Sequence, residues 1–97
     1  MLKKAGLAEV VWSPVALARL QEIRAFVALD KPGAAERLAT RIISVVEALR
    51  IHPGLGRVGA EPGIRELLIG GTPYSILYRV RSNRIIIFTI SHASQSR

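Results

Sequence analysis

Two runs of apolar residues at helical spacing meet at Asp30-Lys31-Pro32-Gly33, and that break constrains the fold more than any other feature of the chain. In the first run Ala16, Leu20, Ile23 and Val27 recur at steps of three and four, with Phe26 beside them. Ser13-Pro14 opens it: serine is a favoured N-cap, and proline at the first helical position gives up no needed hydrogen bond. This predicts a helix from Pro14 to about Leu29. In the second run Ala35, Leu38, Ile42, Val45 and Leu49 alternate steps of three and four, which predicts a helix from Pro32 to about Ile51. Pro32 disfavours the α region for Lys31 and suits the first position of the next helix. So short a connection implies an antiparallel helical hairpin.

Around the hairpin the pattern changes to strands. Glu9 to Trp12 is a short β-branched run ending in an aromatic, and residues 1–8 before it read as a weakly patterned tail. After the Pro53-Gly54-Leu55-Gly56 break, Ile64 to Ile69, Tyr74 to Arg81 and Arg84 to Ser91 read as three strands. Gly70-Gly71-Thr72-Pro73 separates the first two, and Ser82-Asn83 is a two-residue hairpin turn. In the second strand Ile76, Tyr78 and Val80 share one face, while Ser75, Leu77, Arg79 and Arg81 share the other. Ile85-Ile86-Ile87 offers apolar side chains to both faces, as a central strand requires. The expected fold is α+β in the order β-α-α-β-β-β, with the helical hairpin on one face of a small, mainly antiparallel sheet. The arginines would occupy the other face. At 97 residues the chain has room for one domain, residues 1–97, and one core.

Composition narrows the chemistry. Without cysteine there is no disulfide and no thiolate metal site. No segment approaches the roughly 18 apolar residues that span a bilayer. Lys3 and Lys4 resemble the start of a signal peptide, but Glu9 interrupts the apolar stretch that follows. The expectation is a soluble, cytoplasmic protein without membrane attachment. The formal net charge is +7, carried by eleven arginines and three lysines. Arginine suits bidentate contact with phosphate or carboxylate, so the partner should be anionic: nucleic acid, an acidic protein segment, or both. A pure solubility role is the alternative.

Candidate catalytic groups are few. His52 precedes Pro53, where an exposed residue interacting with the helix C-terminus is the simplest reading. His92 follows the last strand near Gln95 and Arg97. It could act as a general base, or be a surface histidine near a fraying terminus. No carboxylate pair suggests glycosidase or metal chemistry, and no cofactor motif is present, so no cofactor and no metal are expected. The remaining signal is the arginine set Arg57, Arg65, Arg79, Arg81, Arg84 and Arg97, all on or beside the β half. Tyr74 and Tyr78 could stack on bases, but their alternation with Ile76 points to the core face.

Several segments resemble the superfamily of bacterial toxins that includes ParE and RelE. Val11-Trp12-Ser13-Pro14, Leu20-Gln21-Glu22-Ile23 and Pro32-Gly33-Ala34-Ala35 are similar to the first half of ParE-type toxins. His52-Pro53-Gly54-Leu55-Gly56-Arg57 resembles their loop after the second helix. Arg65-Glu66-Leu67, Pro73 to Val80 and Ile90-Ser91-His92-Ala93 resemble their later strands. The resemblance covers about residues 9 to 95. It implies a type II toxin held in a hetero-oligomer by a cognate antitoxin that wraps it, covering apolar surface such as Leu20, Ile23, Val27, Leu38 and Ile42. ParE-like members inhibit DNA gyrase by binding. RelE-like members cut messenger RNA on the ribosome. Ser75 stands where nuclease members tend to carry an arginine, and the sequence ends at Arg97 without the tyrosine some of them use. The resemblance therefore favours gyrase inhibition, with Arg57, Arg65, Arg79, Arg81 and Arg97 as target-binding candidates. A ribosome-dependent endonuclease using Arg79, Arg81 and His92 is the alternative. A plain nucleic-acid-binding module is disfavoured, because no recognised motif appears.

Overall fold

The computed structural model describes residues 7–93. Their order is β1 (Glu9–Trp12), α1 (Pro14–Ala28), α2 (Pro32–Ala48), β2 (Arg57–Val58), β3 (Arg65–Leu68), β4 (Tyr74–Arg81) and β5 (Arg84–His92). Five strands form one sheet in the order β1-β5-β4-β3-β2. All neighbours are antiparallel except β1 and β5, which run parallel with Val10 beside Ile85. The expected α+β hairpin-on-sheet architecture is what the chain adopts. The strand β2 was not foreseen, because two residues are too few to show a period.

Each helix starts where its sequence dictates. The Ser13 hydroxyl accepts a hydrogen bond from the Ala16 amide at 2.9 Å and donates one to the Phe88 carbonyl at 2.7 Å. One side chain thus caps α1 and ties it to β5. Pro32 opens α2 with no side-chain cap before it. The second helix stops at Ala48, three residues short of the expected end. The chain continues as a turn in which the His52 amide reaches the Ala48 carbonyl. Pro53 explains this, since it disfavours helical backbone at His52.

The core lies between the hairpin and one face of the sheet. Ala16, Leu20 and Ile23 of α1, and Ala39, Ile42 and Val46 of α2 with its C-cap Leu49, meet Ile76, Tyr78, Ile85, Ile87 and Ile90. Burying each large side chain of this set contributes roughly 1.5–3 kcal/mol. Val80 shares the helix-side face of β4 but is exposed, near the turn of the β4–β5 hairpin.

In β5 the inward residues change parity, from Ile85 and Ile87 to Ile90. A bulge causes this: Leu77 pairs with Thr89 and Tyr78 with Ile87, leaving Phe88 as the extra residue. The bulge carbonyl is the one Ser13 satisfies. The Arg19 Nε donates to the Ile90 carbonyl at 3.2 Å just beyond it.

Candidate functional site

Cross-strand partners project to the same side of a sheet, so the register sorts every strand residue by face. Arg79 and Arg81 of β4 share the face away from the helices with Ser75 and Leu77. Their β5 partners there are Ile86 and Arg84, with Phe88 at the bulge. Arg84 in turn stands beside Glu9, and Ile86 beside Val11, on β1. On the far side Leu77 faces Glu66, which faces Arg57. This open face carries an apolar middle (Val11, Leu77, Ile86 and Phe88, all half-buried) between arginines at its ends.

The arginines are held differently. The Arg79 guanidinium lies 5.5 Å from the Phe88 ring centroid, a cation–π contact. It also lies near enough to Gly63 that a Cβ there would sit 3.6 Å from its Nε. Arg79 is therefore pinned between an aromatic ring and a loop. Arg84 meets Glu9 at 3.3 Å, and Arg57 meets Glu66 at 3.3 Å. The Arg81 side chain is exposed and makes no hydrogen bond or ion pair among the described residues.

Arg65 departs from the expected open-face arrangement. It pairs with Tyr78 on the helix side and donates from Nη1 to the Gly56 carbonyl at 2.7 Å. Its guanidinium braces the loop after α2. Tyr78 braces the same loop: its hydroxyl accepts from the Gly56 amide at 2.7 Å and donates to the Pro53 carbonyl at 2.8 Å. Gly56 is required there, because a Cβ would come within 2.8 Å of the Tyr78 ring and hydroxyl. Burial raises the Tyr78 phenol above its ordinary pKa, against the opposing pull of the Gly56 hydrogen bond and the Arg65 charge. Neither tyrosine is available to stack on a base, since Tyr74 is buried as well.

His92 does not join Arg79 and Arg81. It pairs with Tyr74, whose ring it meets edge-on at 5.1 Å, and Tyr74 belongs to the helix-side core. The sheet thus stands between the imidazole and the open-face arginines. The bulge is the reason: it flips the parity of β5, so His92 falls with Ile90 rather than with Ile86. His52 is exposed, as expected. Arg97 lies outside the described residues. No group of three His, Asp or Glu side chains able to hold a metal occurs among the described residues, and none of their helices is long and apolar enough to cross a membrane.

The helix residues expected to meet a partner divide in two. Leu20, Ile23 and Ile42 are buried in the chain's own core and offer little surface to a partner. Val27 and Leu38 are only partly buried. The most exposed apolar side chains of the hairpin are at its tip, where Phe26 is 71% and Leu29 86% exposed, with Val15, Leu17 and Ile43 exposed farther along the helices. Periodicity marks an inward stripe, and residues on that stripe are the least able to touch another protein. Phe88 was also missed as part of the arginine face, since no sequence signal marks a bulge inside an Ile-rich strand.

Residues 10–97 match the family described as the ParE toxin of the type II toxin–antitoxin system parDE. A Sinorhizobium fredii protein named as a toxin, Y4kP, is 43% identical over 87% of this chain and 86% of its own length. Toxin RelE2 of Caulobacter vibrioides is 37% identical over 92% of this chain and 99% of its own. Among solved structures, the chromosomal ParDE system of P. aeruginosa superposes with a TM-score of 0.82 at 26% identity, covering 91% of this chain and 98% of that one. The RelBE2 complex of Mycobacterium tuberculosis shares the fold, with a TM-score of 0.67 at 18% identity over 89% of this chain and 98% of that one.

Proposed function

The chain belongs to the ParE toxin family of type II toxin–antitoxin systems, and on that premise we propose that it arrests growth by binding DNA gyrase through the open face of its sheet, without bond-breaking chemistry of its own. The observation that carries this reading is the separation of His92 from Arg79 and Arg81 by the sheet. General acid–base catalysis needs the base within hydrogen-bond reach of the reacting group that the arginines would hold. A binding surface has no such requirement, and exposed arginine beside apolar side chains is the composition that protein interfaces favour. A cognate antitoxin silences the toxin in a hetero-oligomer. Parts of it would rest on the apolar hairpin tip around Phe26, Val27 and Leu29 and on Leu38.

The test is a supercoiling assay with DNA gyrase, run beside a ribosome-programmed mRNA cleavage assay on the same toxin preparation. Inhibited supercoiling with intact mRNA is the expected result. Cleaved mRNA with normal supercoiling would overturn the reading and make the toxin a ribosome-dependent endonuclease.

A further inference from the structure

We infer that Arg81 and Arg84 form a carboxylate-binding site that anchors an acidic, amphipathic protein segment across the open face. The two arginines are direct cross-strand partners beside the Ser82-Asn83 turn. Like charges placed opposite each other weaken a strand pair, so this pairing is unfavourable unless an anion neutralises it. Both line one open recess of about 430 Å³ together with Glu9, Ser82, Asn83 and Ile86. Glu9 already binds one of the pair, Arg84, at 3.3 Å, while Arg81 is left without a partner among the described residues. The chain's own carboxylate thus occupies half of a two-arginine site, and the other half is open to a carboxylate from outside.

Two further features select a protein over a nucleic acid as the source of that anion. The face carries four arginines (57, 79, 81 and 84) against two glutamates (9 and 66), and each glutamate is paired with an arginine. Much of the chain's remaining positive charge sits on the helices, as Arg19, Arg24, Arg37 and Arg41, and just past α2 at Arg50. With Arg57 and Arg84 paired to glutamates, a phosphate backbone would find few free charges on this face. Next to the recess the surface turns apolar, through Ile86 to Val11, Leu77 and Phe88. A segment bearing carboxylates at one end and apolar side chains along its length satisfies both zones. This deepens the protein-binding reading above and rests on it, but its test does not use gyrase.

The probe is a synthetic peptide alternating glutamate and leucine, titrated into the isotope-labelled full chain and followed by amide shifts. A single-stranded RNA of equal charge is titrated in parallel. The peptide is expected to shift the amides of Arg81, Arg84, Ile86 and Phe88. Arg81→Ala should weaken it by about tenfold or more, the scale of one lost charge-assisted contact. Glu9→Gln should tighten it, because the internal competitor is gone. Arg37→Ala, on the exposed side of α2, should change affinity little. The inference is overturned if the RNA binds this face more tightly than the peptide, if Arg37→Ala weakens the peptide as much as Arg81→Ala does, or if the peptide leaves these amides unmoved. Because Arg81 has no internal partner to lose, a weakened variant that keeps the wild-type circular dichroism cannot be explained by unfolding. Peptide binding by a toxin that leaves supercoiling normal in the separate gyrase assay would count against gyrase as the target and leave this site standing.

Discussion

The two sides of the sheet use similar residue types to opposite ends. On the helix side, the Tyr78 hydroxyl and the Arg65 guanidinium bond to the loop after α2, and Tyr78 belongs to the buried core. On the open side, the Arg79 guanidinium stacks on the Phe88 ring, and the Arg81 side chain makes no hydrogen bond or ion pair among the described residues. Hydrogen bonds made within the chain mark a side that holds the fold together. Unspent donors beside half-exposed apolar surface mark a side available to another molecule.

Substitutions should separate the two sides by their cost in stability. Ile42→Ala removes a side chain with no exposed surface and should cost about 2–5 kcal/mol in chemical denaturation. A loss below about 0.5 kcal/mol would mean that α2 is not packed as described. Tyr78→Phe leaves the Gly56 amide and the Pro53 carbonyl without the hydroxyl and should cost roughly 1–3 kcal/mol near neutral pH. Its alkaline behaviour sharpens the point. The folded phenol titrates above the unfolded one, so this group's contribution is complete below the ordinary tyrosine pKa. It is lost as pH rises from there through the raised folded value. Wild-type stability should therefore fall more steeply above about pH 10 than that of Tyr78→Phe. Parallel curves would show that the hydroxyl is not buried.

Ser13→Ala should cost about 0.5–2 kcal/mol, because it removes both the helix cap and the donor to the bulge carbonyl. The effect should extend to the open face, as changed amide shifts at Phe88. A stability loss with Phe88 unmoved would mean that the bulge holds itself. The smallest effect is expected at Ser82, whose φ of 55° lies in the left-handed region. Ser82→Gly should stabilise the β4–β5 hairpin by up to about 1 kcal/mol. Destabilisation would show that the serine side chain contributes more than its backbone strain costs.

The helix side was legible in the sequence because periodicity reports burial. The stripe from Ala16 to Ile23, the second stripe through Ile42, the break at Pro32 and the bounds of β4 all follow from spacing and proline chemistry. The open side was legible only in part. Alternation placed Arg79 and Arg81 together, but it carries no signal for the one-residue slip at Phe88. Without that slip His92 would lie on the same face as Arg79 and Arg81. Nor could spacing reveal that Arg65 turns inward, since that depends on register with Tyr78 and on the carbonyl of Gly56. The parallel pairing of β1 with β5 joins residues more than seventy positions apart, beyond the reach of any local pattern.

The division between the two sides can be tested in one experiment, colony formation on inducing the toxin without antitoxin, for Arg81→Glu and His92→Gln, with each variant checked for folding. Arg81→Glu should restore growth, because it reverses the unpartnered charge of the open face, and His92→Gln should arrest growth as the wild type does. Restored growth with a folded His92→Gln protein, together with continued arrest by Arg81→Glu, would contradict the account and place the toxic chemistry on the other side of the sheet.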